Sequence, residues 1–228
     1  MTQTTFKRIE TKYRIPLSSY EDFRRDICDF MTLDRYGLKT VMNIYYDTPG
    51  HELIGRSLEK PVYKEKLRLR SYGQPSSDTR VFAEIKKKYR GVVYKRRSAL
   101  SLKEAEDFLD RGIYPEADSQ INRELAYFLD HYRPRPAMVL CYDREAFYGK
   151  EDPELRLTLD RHIRFREEDL SLEEGDHGRE VDPGYCLLEI KAAGAIPLFL
   201  TRLLSQYHVY QESFSKYGAA YKLSVAAH

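Results

Sequence analysis

Tyr63-Lys-Glu-Lys-Leu-Arg-Leu-Arg-Ser-Tyr72 is the stretch on which the reading of this chain turns. In a strand, successive side chains point to opposite faces, so Lys64, Lys66, Arg68 and Arg70 share one side and Leu67 and Leu69 the other. Cations two residues apart stand roughly 7 Å from each other and, at an effective dielectric near ~20, repel by about 2 kcal/mol per pair. Such a row cannot line a dry core. For one strand alone the ordinary reading is a solvated sheet face, because Lys and Arg are usually exposed. The same division, however, recurs along the chain.

Residues 6 to 15 alternate in this way, with Arg8, Glu10, Lys12 and Arg14 against Ile9, Tyr13 and Ile15. Residues 41 to 46 are β-type and stop at the turn signal Asp47-Thr48-Pro49-Gly50. From Arg80 to Tyr89, Glu84, Lys86 and Lys88 share a side with Phe82, and Val81, Ala83 and Ile85 take the other. Gly91 permits a tight turn into residues 92 to 98, whose Lys95, Arg96 and Arg97 must be split between faces. Further strands are expected over 137 to 147, with Tyr142 and Arg144 on one side, and over 155 to 160, where leucines alternate with Arg156, Thr158 and Asp160. The last runs from Tyr185 to Lys191, turning Glu189 and Lys191 away from Leu188 and Ile190.

Helical spacing appears between these strands. After Pro16, Phe23, Ile27, Phe30 and Met31 form a stripe, with Ser18 or Ser19 placed to cap and Glu21 and Asp22 in the first turn. Residues 51 to 60 read as a loop or a short helix. Ser101-Leu-Lys-Glu104 has capping-box spacing and opens a helix that ends near Gly112. Residues 119 to 131 form another, on Ile121, Leu125 and Phe128 or Leu129. Pro197 to Tyr207 offers Leu198, Leu200, Leu203 and Leu204 as a buried face. Residues 166 to 181 are polar and acidic and read as a mobile surface excursion, and the chain closes on a short tail rich in Ala and Tyr.

With 228 residues and no linker that forces a split, the expectation is a single domain spanning 1–228. Lys plus Arg (38) nearly balance Asp plus Glu (36), so a net charge of +2 predicts no general attraction to nucleic acid or to anionic membranes. Any strong field must come from segregation. Cys28, Cys141 and Cys186 lack CxxC spacing and read as unpaired core thiols in a reducing compartment. The N-terminus enters charged sequence at once, and no apolar run approaches the ~20 residues a membrane helix needs, so the chain is expected to be cytoplasmic, without membrane insertion of its own. No Walker-type loop, Gly-x-Gly-x-x-Gly or Gly-x-Ser-x-Gly elbow occurs, and the histidines lack metal-ligand pairing, His162 reading as a surface residue. No exposed basic stripe with interleaved aromatics stands out, which argues against nucleic acid as a partner.

If the sheet stayed open its charged side could simply meet water. If it closed, those faces would line a wet interior with the helices packed outside, which explains why the helices have apolar stripes to bury. Closure is the favoured expectation: an α+β fold built on a closed antiparallel β-barrel of about eight strands. An interior crowded with Arg and Lys calls for anions, and the guanidinium fork suits phosphate. The few carboxylates on these faces, Glu10, Glu84, Asp160 and Glu189, would pair with cations or hold an oxygen-preferring metal, Mg²⁺ or Mn²⁺. Glu189 is the first choice for the latter.

Seven segments, in order, carry a resemblance: Glu10-Thr-Lys-Tyr-Arg14, Tyr45-Tyr-Asp-Thr-Pro49, Lys66-Leu-Arg-Leu-Arg-Ser-Tyr72, Tyr94-Lys-Arg-Arg97, Tyr142-Asp-Arg-Glu145, Leu188-Glu-Ile-Lys191 and Ser213-Phe-Ser-Lys216. Together they resemble the VTC domain, the polyphosphate polymerase module within the triphosphate tunnel metalloenzymes. The resemblance implies a closed tunnel and metal-dependent transfer of the terminal phosphoryl group of ATP to a growing inorganic polyphosphate chain. It implies that Lys12, Arg68, Arg70, Lys86, Arg144 and Arg156 act on the reacting phosphates, that Lys95, Tyr142, Ser215 and Lys216 bind substrate, and that Glu189 holds Mn²⁺ or Mg²⁺. A membrane protein would be a fitting partner for product. Related tunnel hydrolases begin Glu-x-Glu-x-Lys, whereas Arg8 stands at the first position here, and Ser213 stands where some relatives carry Lys. The first departure tilts the balance from a triphosphatase or tripolyphosphatase toward holding a long anion. A non-catalytic polyphosphate-binding module is the remaining alternative.

Overall fold

The computed structural model describes residues 9 to 227. Its elements in chain order are β1 (Ile9–Pro16), α1 (Leu17–Ile27), β2 (Met31–Leu33), β3 (Lys39–Asp47), α2 (Glu52–Leu58), β4 (Tyr63–Tyr72), β5 (Arg80–Tyr89), β6 (Val92–Ser101), α3 (Leu102–Arg111), α4 (Gln120–Tyr132), β7 (Arg135–Gly149), β8 (Arg156–Arg166), β9 (Arg179–Glu180), β10 (Tyr185–Ala192), α5 (Leu198–Gln206) and α6 (Lys216–Val225). The fold class is α+β. Hydrogen bonding follows the path β1-β10-β8-β7-β3-β4-β5-β6, with β2 on β7 and β9 on β8. Among the described residues that path ends on β1 and on β6, so hydrogen bonds do not close the expected barrel. None of the described helices is long and apolar enough to cross a membrane.

The chain divides into two compact units, and β7 and β8 each contribute to both. The first takes the residues up to 39 with 142–163 and 182–215. Here β1 pairs with β10 and β10 with β8, all antiparallel, which sets Lys12 opposite Glu189, Glu189 opposite Thr158 and Lys191 opposite Arg156. The other faces of these strands pack Ile15, Leu157, Leu159, Leu188 and Ile190 against Phe23 and Ile27 of α1 and Leu200, Leu203 and Leu204 of α5.

Three expectations change in this unit. Helix α1 starts directly after Pro16, which caps it without any side-chain hydrogen bond. Ser18 and Ser19 therefore lie inside the helix, no acidic residue falls in its first turn, and Met31 opens β2 instead of extending the stripe. In α5, Leu198 is 72% exposed; Leu200, Leu203 and Leu204 share a face at i, i+3, i+4 spacing, and a residue two positions earlier points away from it. Cys28 is exposed, while Cys141 and Cys186 fill core positions, and all three are free thiols.

The second unit takes 40–141, 164–181 and the residues from 216 onward. Strands β3, β4, β5 and β6 form an antiparallel ladder. Its apolar face, Met42, Ile44, Leu67, Leu69, Val81, Ala83 and Ile85, is covered by Leu102, Ala105 and Phe108 of α3 and Leu125 and Phe128 of α4. The two-residue turn Arg90-Gly91 has φ of 46° and 87°, the type I′ geometry that matches strand twist and that glycine adopts at little cost. Ser101 and Glu104 form the expected capping box at α3, and Gly112 ends it in the left-handed region.

Within residues 51 to 60 the short helix α2 (Glu52–Leu58) forms, with Asp47 as acceptor for its N-terminal N–H groups. The Asp47 carboxylate, 1% exposed, accepts from the backbone N–H groups of Thr48 (2.8 Å), Leu53 (2.9 Å) and Ile54 (3.0 Å) and from the Tyr217 hydroxyl (3.0 Å). That hydroxyl comes from α6, the helix that replaces the expected tail. The acidic excursion is also built rather than loose: buried Arg166 donates to the carbonyls of Asp169, Ser171, Gly175 and His177, and Leu172 lies fully in the core.

These two caps differ in depth. Asp47→Ala strips three backbone donors and a buried hydroxyl of their acceptor and should cost about 3 kcal/mol, whereas Ser101→Ala, at an exposed cap, should cost about 1 kcal/mol. Urea unfolding of the two variants should rank them in that order.

Candidate functional site

In the second unit the cationic face is assembled by register. Across β4, β5 and β6, Lys66 stands opposite Lys86 and Lys86 opposite Lys95. One step along, Arg68 stands opposite Glu84 and Glu84 opposite Arg97. Arg68 Nε donates to Glu84 Oε2 (2.6 Å) and Arg97 Nε to Oε1 (2.7 Å), while Arg70 Nε is 3.8 Å from Oε2. One buried carboxylate thus serves three guanidinium groups. Burial alone would raise the Glu84 carboxyl, but Arg68, Arg70 and Arg97 outweigh it and pull its pKa from 4.5 down to about 2.

The registers also divide the three adjacent cations of β6. Lys95 and Arg97 share the face of Lys86 and Glu84, and Arg96 turns to Glu124 of α4 (3.5 Å). Arg70 is 7% exposed and its Nε donates to Asn43 Oδ1 (2.9 Å), which is itself fixed by donation from Nδ2 to the Leu140 carbonyl (2.9 Å). Tyr45, opposite Arg68, stacks on Tyr217 of α6 with ring centroids 4.3 Å apart, and Lys66 Nζ lies 5.5 Å from the Tyr217 ring centre. Lys216 is the first residue of α6, and Ser215 stands exposed just before it. Asn43 and Tyr217 are absent from the sequence candidates, and Tyr45 enters there only within the segment Tyr45-Tyr-Asp-Thr-Pro49. Only the strand register and the unforeseen helix bring them to this face.

In the first unit, Lys12 Nζ donates to the Phe214 carbonyl (3.1 Å) and lies 3.7 Å from Glu189 and 4.0 Å from Glu10. Glu189 is closer to Lys191 Nζ, at 2.6 Å. Arg144 forks onto Asp160, Nε to Oδ1 at 2.6 Å and Nη2 to Oδ2 at 2.7 Å, with its guanidinium 5.1 Å from the Tyr142 ring centre. Burial opposes the Arg144 charge, but Asp160 overrides that and holds its pKa well above the ordinary value. Arg156 begins β8 exposed, opposite Lys191 and 5.7 Å from the Tyr148 ring centre. The neighbouring Glu145 faces the other way, where Tyr20 and Arg24 of α1 donate to it, so the strand that carries Tyr142 and Arg144 is clamped from behind. His162 is more than half exposed and 3.9 Å from Asp143, as a surface residue. Arg8, where the hydrolase pattern departs, lies outside the described residues.

The carboxylates do not form a cage for a resident metal: among the described residues no three His, Cys, Asp or Glu side chains gather. What the first unit offers is Glu189 and, directly across the strand pair, the buried Thr158 hydroxyl, which has no hydrogen-bond partner. That donor set fits a hard cation that keeps most of its ligands from water and phosphate oxygens.

Comparison with known proteins places this arrangement. The family model described as the VTC domain matches residues 7–225. The chain belongs to the VTC domain family. No curated protein sequence matches it. Among solved structures, this VTC domain is similar to a candidate adenylate cyclase from Bacillus halodurans, 16% identical with a TM-score of 0.55, over 91% of this chain and 95% of that one. It is also similar to a candidate adenylyl cyclase from Hippeastrum described as having a dominant triphosphatase activity, 15% identical with a TM-score of 0.54, over 92% of this chain and 93% of that one. At such identities the likeness is one of fold.

The Glu84 hub gives this VTC domain a defined acid response. Because the folded pKa is depressed, the stabilisation is fully present above pH 4.5 and is lost as the pH falls toward about 2. Its size follows from the shift, about 3 kcal/mol. Glu84→Gln should therefore unfold about that much more easily than the parent at neutral pH, and the gap should narrow between those two pH values in urea titrations.

Proposed function

We propose that this VTC domain is a polyphosphate polymerase, taking the 228 residues as one catalytic domain with the closed tunnel that its family implies. The observation that carries the reading is the row Lys66-Lys86-Lys95, like charges placed directly opposite one another on three adjacent strands. Cross-strand neighbours stand roughly 5 Å apart, and at an effective dielectric near ~20 each pair repels by about 3 kcal/mol before screening. A sheet that keeps such a row invites a polyanion with a charge at every repeat. Inorganic polyphosphate carries a charge at every phosphate, and ATP supplies its monomer.

In the reaction, a terminal phosphate oxygen of the polyphosphate chain attacks the γ-phosphorus of ATP. The bond from that phosphorus to the β–γ bridging oxygen breaks, its electron pair leaves with ADP, and the chain is longer by one phosphate. No side-chain nucleophile is required, since phosphoryl transfer depends on positioning and on neutralising charge. Lys12, Arg68, Arg70, Lys86, Arg144 and Arg156 would supply that neutralisation, and Lys95, Tyr142, Ser215 and Lys216 would hold the phosphates on either side. Arg68, Arg70 and Arg144 would exchange Glu84 and Asp160 for phosphate oxygens, or share them. Mg²⁺ or Mn²⁺ arriving with ATP would be held by Glu189, beside the Thr158 hydroxyl, and would withdraw charge from the phosphate oxygens. Both the attacking and the leaving groups are phosphates, so exclusion of water separates this chemistry from that of a triphosphatase.

Incubation of the pure protein with ATP and Mn²⁺, resolved on a gel that separates phosphate chains, should give a ladder. Free phosphate alone would instead make the protein a triphosphatase, and unchanged ATP with tight polyphosphate binding would make it a binding module. Lys86→Ala should weaken tripolyphosphate binding by about tenfold. Glu189→Ala should spare that binding and remove turnover.

A further inference from the structure

The far end of the β4-β5-β6 ribbon carries side chains that this reaction does not use. Tyr63 stands opposite Tyr89 and Tyr89 opposite Val92, on the face that further along becomes core. Lys64 stands opposite Lys88 and Lys88 opposite Val93, on the cationic face. Both faces are open to solvent here: Val62, Tyr63, Tyr89, Val92, Val93 and Tyr94 are between 41% and 64% exposed. Single exposed apolar residues are ordinary, but six together at one tip mark an interaction site.

The charge around them has one sign. Seven of the twelve residues from Lys86 to Arg97 are Lys or Arg, and no Asp or Glu occurs between Glu84 and Glu104. Lys87 and Arg96 reach back to Glu124 and Arg97 to Glu84, which leaves Lys88 and Arg90 exposed at the tip itself, Arg90 lying 5.3 Å from the Tyr89 ring centre. The positive character is felt locally. Partial burial first, and then Lys88 and Lys60, lower the pKa of Lys64.

The contiguous stretch 86–97 interleaves Tyr89 and Tyr94 with seven cations, which corrects the expectation that no exposed basic stripe carries aromatics, and strand pairing adds Tyr63 to it. A linear polyanion would need the cations but not the valines. A folded protein partner would need a broad surface of about 800 Å² on this side, and three strands span only about 10 Å. A convex tip of tyrosine and valine ringed by lysine instead matches a bilayer interface. Tyrosine rings settle at headgroup level, valines reach the acyl boundary, and long cationic side chains turn back to the phosphates.

We propose that the β5–β6 hairpin end, with Val62 and Tyr63 beside it, is a docking tip for a phospholipid bilayer that carries anionic headgroups. This holds whichever reaction the site performs. The test is flotation of the whole protein with phosphatidylcholine vesicles and with vesicles containing phosphatidylserine in addition, at low and high salt. Binding should require phosphatidylserine and weaken with salt. Each cation near such a surface is worth about fivefold in partitioning, so K88S/R90N should lower it by about twenty-fivefold, and V92S/V93S by about tenfold. Both variants should retain the parent's melting temperature and tripolyphosphate affinity. No flotation by the parent overturns the proposal. So does undiminished flotation of V92S/V93S, which would reduce the tip to a polyanion contact, and so does preferential capture of a single-stranded oligonucleotide that displaces the vesicles.

Discussion

Repulsion between like charges across β4, β5 and β6 is the constraint around which the second unit is built. Lys66, Lys86 and Lys95 are held in line by the hydrophobic reverse of the same strands, where Leu67, Leu69, Val81, Ala83 and Ile85 pack under α3 and α4. Burying apolar surface at about 25 cal/mol per Å² tolerates a few kcal/mol of electrostatic strain on the opposite side. Glu84 absorbs part of that strain by serving Arg68, Arg70 and Arg97 together. Without it the guanidinium groups would face one another with no carboxylate between them.

The first unit meets the same difficulty with closer pairing. Arg144 is forked onto Asp160, which is wholly buried, and Glu189 lies between Lys12 and Lys191. Its cations pair at short range with Asp160 and Glu189, whereas in the second unit three guanidinium groups share Glu84.

Much of this was legible in the chain because period-2 alternation is a local property. Strand β5 runs from Arg80 to Tyr89 as read, β4 from Tyr63 to Tyr72, and the capping box at Ser101 stands where its spacing put it. What stayed hidden depends on partners distant in sequence. The choice among Lys95, Arg96 and Arg97 needed the register against β5, because a slip of one residue exchanges faces. The helix at 52–58 needed Asp47 to be buried as its acceptor, and Arg166 needed the carbonyls of a loop that looked merely acidic. Closure of the sheet was expected from its charged faces, from the apolar stripes of the helices and from the resemblance, and none of these says which edges bond.

The pairing of β1 with β10 joins Lys12 to Glu189, positions 177 residues apart along the chain. A ladder between such distant segments costs more loop-closure entropy than the pairing of neighbours in the β4-β5-β6 meander, and so is expected to form after it. During synthesis the ribosome releases β1 long before its mate exists. Its alternating edge therefore stays without its β10 ladder until residues 185 to 192 have been made.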